Sequence, residues 1–150
     1  RTVANYLELR SMAPELPIIP VLQGWEMADY EHCVTLYERG GIDLTREPVV
    51  GLGSVCRRQS TREGAAIVTT LAAHGLKLHG FGFKTLGLAR VGHLMASADS
   101  LAWSSHARRR PAMDGHTHKN CANCLPYALR WRTRVLEALP TWQQPLLDPA

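Results

Sequence analysis

The chain has 150 residues, 45% of them hydrophobic and 20% charged, which excludes a disordered segment and allows one modest domain. Seventeen Lys and Arg against thirteen Asp and Glu give a formal charge of +4, a balance that permits a nucleic-acid partner without demanding one. The longest uncharged stretch, over residues 64–76, is too short to cross a bilayer, so no membrane span is expected.

The chain opens at Arg1 directly into helix-like sequence, which reads as a piece of a longer protein. Val3 and Leu7 predict a helix over 2–12, stopped before Pro14. The β-branched run over 18–23 reads as a buried strand ending at Gly24. A helix over 29–39 follows, closed by Gly40-Gly41. The second strand covers 48–53, and Ser60-Thr61-Arg62-Glu63 matches a capping box opening a helix to His74. The third strand spans 76–82, the next helix 84–95 and the fourth strand 96–103. An irregular basic segment over 104–120 leads to a last helix over 121–139 and a proline-rich tail.

Strand and helix thus alternate four times, with polar and glycine residues at every strand's carboxyl end. That alternation predicts right-handed β/α crossovers and a parallel sheet. Four units make half of a (β/α)8 barrel or one side of a doubly wound sheet. In either, the carboxyl-terminal face of the strands carries the site.

Asp99 lies in an otherwise apolar strand segment, where a carboxylate is costly unless paired or working. It either caps a loop or pairs with an Arg, or it serves as a nucleophile or base. Gly51-Leu52-Gly53 and Gly80-Phe81-Gly82 would let a flat ligand approach the backbone, or are ordinary turns. They lack the third glycine of a dinucleotide fingerprint, so a Rossmann cofactor site is rejected. Gln23 is either a turn residue or a reader of a base edge, and His79, beside Gly80, is a candidate to face the site.

His116, His118, Cys121 and Cys124 place two imidazoles and two thiols within nine residues. We read them as a closed, structural zinc site, the alternative being reduced thiols with bystander histidines. With no signal peptide in view, the cysteine usage suggests a reducing, cytoplasmic setting. Arg108-Arg109-Arg110 reads either as a solvated surface or as a phosphate contact.

Taken in order, Val21-Leu22-Gln23-Gly24, Val50-Gly51-Leu52-Gly53-Ser54-Val55, His79-Gly80-Phe81-Gly82 and Ala98-Asp99-Ser100 with Arg108 behind it resemble the tRNA-guanine transglycosylase superfamily. The likeness is to the carboxyl-terminal half of its barrel, and a zinc knuckle follows in the expected place. The wording Leu-Gln-Gly-Trp, Gly-Ser-Val-Cys-Arg-Arg and Ser-Ala-Asp-Ser-Leu-Ala-Trp-Ser looks closest to the branch that inserts 7-deazapurines into DNA.

The resemblance implies residues 1–115 as half a barrel, 116–140 as zinc knuckle and terminal helix, and 141–150 as a flexible tail. It implies Asp99 as a nucleophile that exchanges guanine for a 7-deazaguanine base in DNA, or alternatively in tRNA. Gln23 and the backbone at Gly51 and Leu52 would hold the purine edge, and His79 would border it. Gly80 would give the flat base room, and Arg108 and Arg109 would grip nucleic acid.

Three departures stand out. Lys119 falls where the family has its first zinc Cys, no His follows Cys124, so His116 and His118 would stand in as ligands, and Trp103-Ser104-Ser105 replaces a Pro-Thr-Arg. A contrasting reading is a non-catalytic module that grips nucleic acid or supports a partner subunit. The two open edges of a half barrel also predict that these residues alone aggregate or pair, as a homodimer or with a partner subunit.

Overall fold

Each of the four strands lies beside the one before it in sequence, giving a parallel sheet of order β1-β2-β3-β4. The computed structural model describes residues 1–139. The tail expected over 141–150 lies outside them. The strands are β1 (Val21–Leu22), β2 (Val50–Leu52), β3 (Leu78–Gly80) and β4 (Met95–Ala98). The helices are α1 (Thr2–Met12), α2 (Met27–Arg39), α3 (Arg62–Ala73), α4 (Thr85–Val91), α5 (Ala102–Ala107) and α6 (Leu125–Glu137). This sequential order is compatible with half of a β/α barrel, because it contains no point at which the strand order reverses.

Alternation along the strands sorts their side chains onto two faces. Leu22, Val50, Leu52 and Leu78 are fully buried and pack with Tyr30 and Tyr37 of α2, Ile67, Val68 and Leu71 of α3, and Phe83. Val21, Gly51, His79 and Ser97 form a register row on the opposite face. Two buried tyrosines fasten α2 beneath the sheet. The Tyr30 hydroxyl donates to the Gly53 carbonyl at 2.9 Å. The Tyr37 hydroxyl accepts from the Val21 amide at 3.0 Å and donates to the Val21 carbonyl at 3.2 Å. Each such bond contributes about 1 kcal/mol net.

Helix ends follow local chemistry, with some shifts from the sequence reading. Helix α2 begins at a reciprocal capping box between Glu26 and Asp29, and Gly41 follows its end at φ +78. Helix α3 is capped by Thr61, whose hydroxyl accepts from the Gly64 amide at 3.1 Å. The box expected on Ser60 and Glu63 does not form, because Glu63 turns to Arg58, 3.1 Å away. Helix α4 ends at Val91 and tightens into a 3₁₀ turn over Gly92–Leu94. That turn lets β4 start at Met95, and the strand ends at Ala98, short of the expected 103. Residues 102–107 form α5, in place of strand and irregular chain. Helix α6 starts at Leu125, with Cys124 as its N-cap and a proline in its first turn.

A second hydrophobic cluster gathers Ala107, Cys121, Ala122, Cys124 and Tyr127, with Trp103, Met113 and Trp131 packed against it. It joins α5 to the Cys-rich segment, so the core around that segment begins well before residue 116. Among the described residues no helix is long and apolar enough to cross a membrane.

Candidate active site and metal-binding cluster

Asp99 stands one residue past β4, where its amide still donates to the Gly80 carbonyl at 3.2 Å. Its Oδ1 accepts the Gly82 amide at 2.7 Å. Gly82 adopts φ +67, a conformation glycine takes without steric penalty, which points that amide at the carboxylate. His79 Nε2 lies 3.9 Å from the same oxygen, while His79 Nδ1 pairs with Ser97 Oγ at 2.8 Å. The Asp99 side chain is 64% exposed, so it is aimed by its partners without being shielded from a ligand. It opens into a groove of about 1240 Å³ whose walls include Arg57, Lys84, Arg109 and Arg110.

Gln23 follows β1 and is exposed. Its Oε1 accepts the Ser54 hydroxyl at 2.7 Å, and its amide lies so close over Gly53 that a Cβ there would sit 2.8 Å from Nε2. Ser54 holds φ +64, unusual for a residue with a side chain.

Gly51, Leu52 and Gly80, expected to border a base, are surrounded by other parts of the chain. Phe81 of the chain itself covers Gly51, its ring 2.6 Å from where a Cβ would lie. The Gly51 amide bonds the Pro20 carbonyl, and the Leu52 side chain is fully buried. The sheet therefore already uses the Gly51 amide, one of the backbone groups expected to hold a purine edge there. Gly80 faces Phe83 and Met95, not open space. Its contribution is the carbonyl that anchors the Asp99 amide.

The segment between β2 and α3 holds two buried polar side chains that the sequence reading passed over. The Arg58 guanidinium stacks 4.3 Å from the Trp25 ring centroid and donates to the Trp25 carbonyl. Gln59 Nε2 donates to the Cys56 carbonyl at 2.7 Å and the Gly82 carbonyl at 3.4 Å, while its Oε1 accepts the Lys84 amide. Gln59 thereby ties the loop after β2 to the loop after β3. Within Arg57-Arg58-Gln59-Ser60 nothing local distinguishes these residues from a solvated loop.

One donor atom from each of His116, His118, Cys121 and Cys124 lies within 4.8 Å of the others. His116 Nδ1 is 3.3 Å from His118 Nε2 and 3.5 Å from Cys124 Sγ, and His118 Nε2 is 3.2 Å from Cys121 Sγ. Tetrahedral zinc with ordinary Zn–N and Zn–S bonds separates its donors by about 3.3–3.8 Å, so the set is compatible with zinc. The Met113 amide donates to Cys121 Sγ at 3.3 Å, the kind of outer contact that orients a thiolate ligand.

The arginines divide by position. Arg109 and Arg110 line the Asp99 groove. Arg108, the exposed C-cap of α5, is not among its lining residues.

The chain is thus an α/β protein with a carboxylate at the carboxyl edge of a parallel sheet, a groove with basic walls beside it and a His2Cys2 cluster that could hold a metal. The chain matches the family model DpdA, DeoxyPurine in DNA protein A, over residues 1–148 and belongs to that family. Membership connects it with DNA modification involving deazapurines. No curated protein and no solved structure matches it.

Proposed function

We propose that the chain carries part of the active site of a base-exchange transglycosylase that replaces guanine in DNA with a 7-deazaguanine. The observation that carries this reading is the Asp99 carboxylate, fixed by the Gly82 amide and exposed to a basic groove. Membership in the DpdA family favours DNA over tRNA as the polymer.

In this reading the target nucleotide is extruded from the duplex into the groove. An Asp99 oxygen attacks C1′ as the C1′–N9 bond breaks. Its electron pair leaves on guanine, which takes up a proton. The result is an ester between Asp99 and the deoxyribose. The incoming 7-deazaguanine loses its N9 proton and attacks C1′, and the ester bond breaks back onto Asp99. Two inversions give net retention, as in a retaining glycosidase with a base in place of water.

Gln23 reads the purine edge from beyond β1, and His79 with Phe81 borders the base on the open face of the sheet. Gly51 and Leu52 act as framework, and Gly80 positions Asp99 through its carbonyl. Arg109, with Arg108 beside it, meets the phosphates. His116, His118, Cys121 and Cys124 would hold zinc. Four protein donors would leave no open position, so a bound zinc would serve to fix the fold between α5 and α6.

The test uses the full-length protein with duplex DNA and labelled 7-deazaguanine. Asp99→Ala is expected to abolish the protein–DNA adduct on denaturing gels and to lower label incorporation by about a thousandfold or more. Undiminished incorporation by Asp99→Ala would overturn the assignment, and label entering tRNA but not DNA would move the activity to the other polymer.

A further inference from the structure

Behind the groove that holds Asp99 lies a second, smaller cavity of about 430 Å³, bounded by His106, Arg110, Tyr127, Arg130, Thr133 and Arg134. The two cavities share His106 and Arg110, so they meet at the end of α5. Tyr127, Arg130 and Arg134 fall at successive turns of α6 and therefore share one face of it. That face is docked by its first member. Tyr127 is buried in the second hydrophobic cluster, and its hydroxyl pairs with His106 Nδ1.

The charge here is one-sided. Three arginines line the cavity and no carboxylate does. Among the described residues, Arg110, Arg130 and Arg134 make no ion pair. Their field reaches the neighbouring imidazole. His106 is held below the ordinary histidine range by burial first, and then by the charges of Arg110, Arg134 and Arg109. Guanidinium forks one helical turn apart are suited to bracket a tetrahedral oxyanion and to bond it bidentately. The Thr133 hydroxyl also lines the cavity, but it donates its proton to the Leu129 carbonyl at 3.1 Å.

We propose that this cavity is a second phosphate site, in which Arg110, Arg130 and Arg134 hold a backbone phosphate of the DNA strand whose target nucleotide lies at Asp99. The proposal rests on the reading of DNA as substrate and adds a contact that the nucleophile does not supply. The shared wall of His106 and Arg110 gives the strand a continuous basic path from the Asp99 groove to α6. A phosphate held there fixes the register of the strand and carries no sequence information of its own.

The experiment measures binding of the full-length protein to a fluorescent DNA duplex by anisotropy between 50 and 200 mM salt (about the range over which phosphate contacts dominate). Each neutralised phosphate contributes about 0.9 to the slope of log affinity against log salt. The double variant Arg130→Ala/Arg134→Ala should lower the slope by about 0.9, one phosphate's share, and weaken binding roughly tenfold near 100 mM salt. Arg130→Lys/Arg134→Lys should restore the slope, and Arg39→Ala, at an exposed position at the end of α2, should leave it unchanged.

A wild-type slope in the double alanine variant overturns the site. So does an equal loss from Arg39→Ala, which would reduce the effect to net charge. Loss seen with a structured RNA of equal length but not with DNA overturns the choice of ligand. Failure of the wild-type protein to form its Asp99 adduct would sink the reaction alone, since the salt slope is read without chemistry.

Discussion

Replacing Gly51 by Ala places a methyl carbon 2.6 Å from Phe81 Cε2, 3.0 Å from Phe81 Cζ and 3.1 Å from a Val21 methyl. The ring contact is roughly 1 Å short of the 3.5–4.0 Å at which carbon atoms attract. Gly51 sits inside the ladder between β1 and β3, so Phe81 must give way. Phe81 is half-buried and free to lean toward the open face, so the expected cost is at the lower end of overpacking, about 1 kcal/mol.

The displacement does not stop there. Phe81 meets the His79 ring edge-on at a centroid distance of 4.8 Å, and His79 holds Ser97 and lies beside Asp99. A shift approaching 1 Å at a reacting group lowers a rate by as much as about a hundredfold. Adduct formation should therefore fall by roughly ten- to a hundredfold while urea unfolding moves only slightly. The double variant Gly51→Ala/Phe81→Ala isolates the contact: with the ring gone, the added methyl should cost almost nothing further. Additive losses across that cycle, or a full adduct rate in Gly51→Ala, would refute the relay from β2 through Phe81 to Asp99.

Two further outcomes are expected. Purified protein should carry one zinc per chain by mass spectrometry of the metal, and Cys124→Ser should lose it along with the near-ultraviolet signal of Trp103 and Trp131, which pack on the same cluster. Acid unfolding should sense Asp29, whose carboxyl is held below its ordinary value of 3.8 by the Glu26 amide and then the Trp25 amide. A depressed folded value stabilises the protein above pH 3.8 and loses that stabilisation as pH falls through the folded value. Asp29→Asn should therefore flatten the acid limb of the stability profile below about pH 4, read by urea unfolding at a series of pH values.

The strand–helix order was legible because its signals are local. Gly40-Gly41 and Gly75 stand just past the ends of α2 and α3, and β-branched runs beyond them mark strands. Strand lengths were overestimated because an apolar run such as 18–23 continues past the two residues that pair. Helix α5 was hidden, since its buried residues are Ser104 and Ala107, too small and polar to create a helical stripe. The His and Cys donors were readable because they lie within nine residues of one another. Phe81 over Gly51, and Gln59 between two loops, depend on pairing across the sheet, which no local pattern encodes. The same holds for the basic face of α6, whose Arg130 and Arg134 gain meaning only when Arg110 is brought against them.

Gln59 leaves its position little freedom. Its amide nitrogen serves the carbonyls of Cys56 and Gly82, and its oxygen serves the amide of Lys84. Both ends of one short side chain are committed, in opposite polarities, to two loops. Glutamate has the same shape but would set a carboxylate against two carbonyl oxygens, and leucine would leave all three backbone groups without a partner. Substitution along the rim of the groove must therefore leave this amide in place if the two loops are to keep their tie.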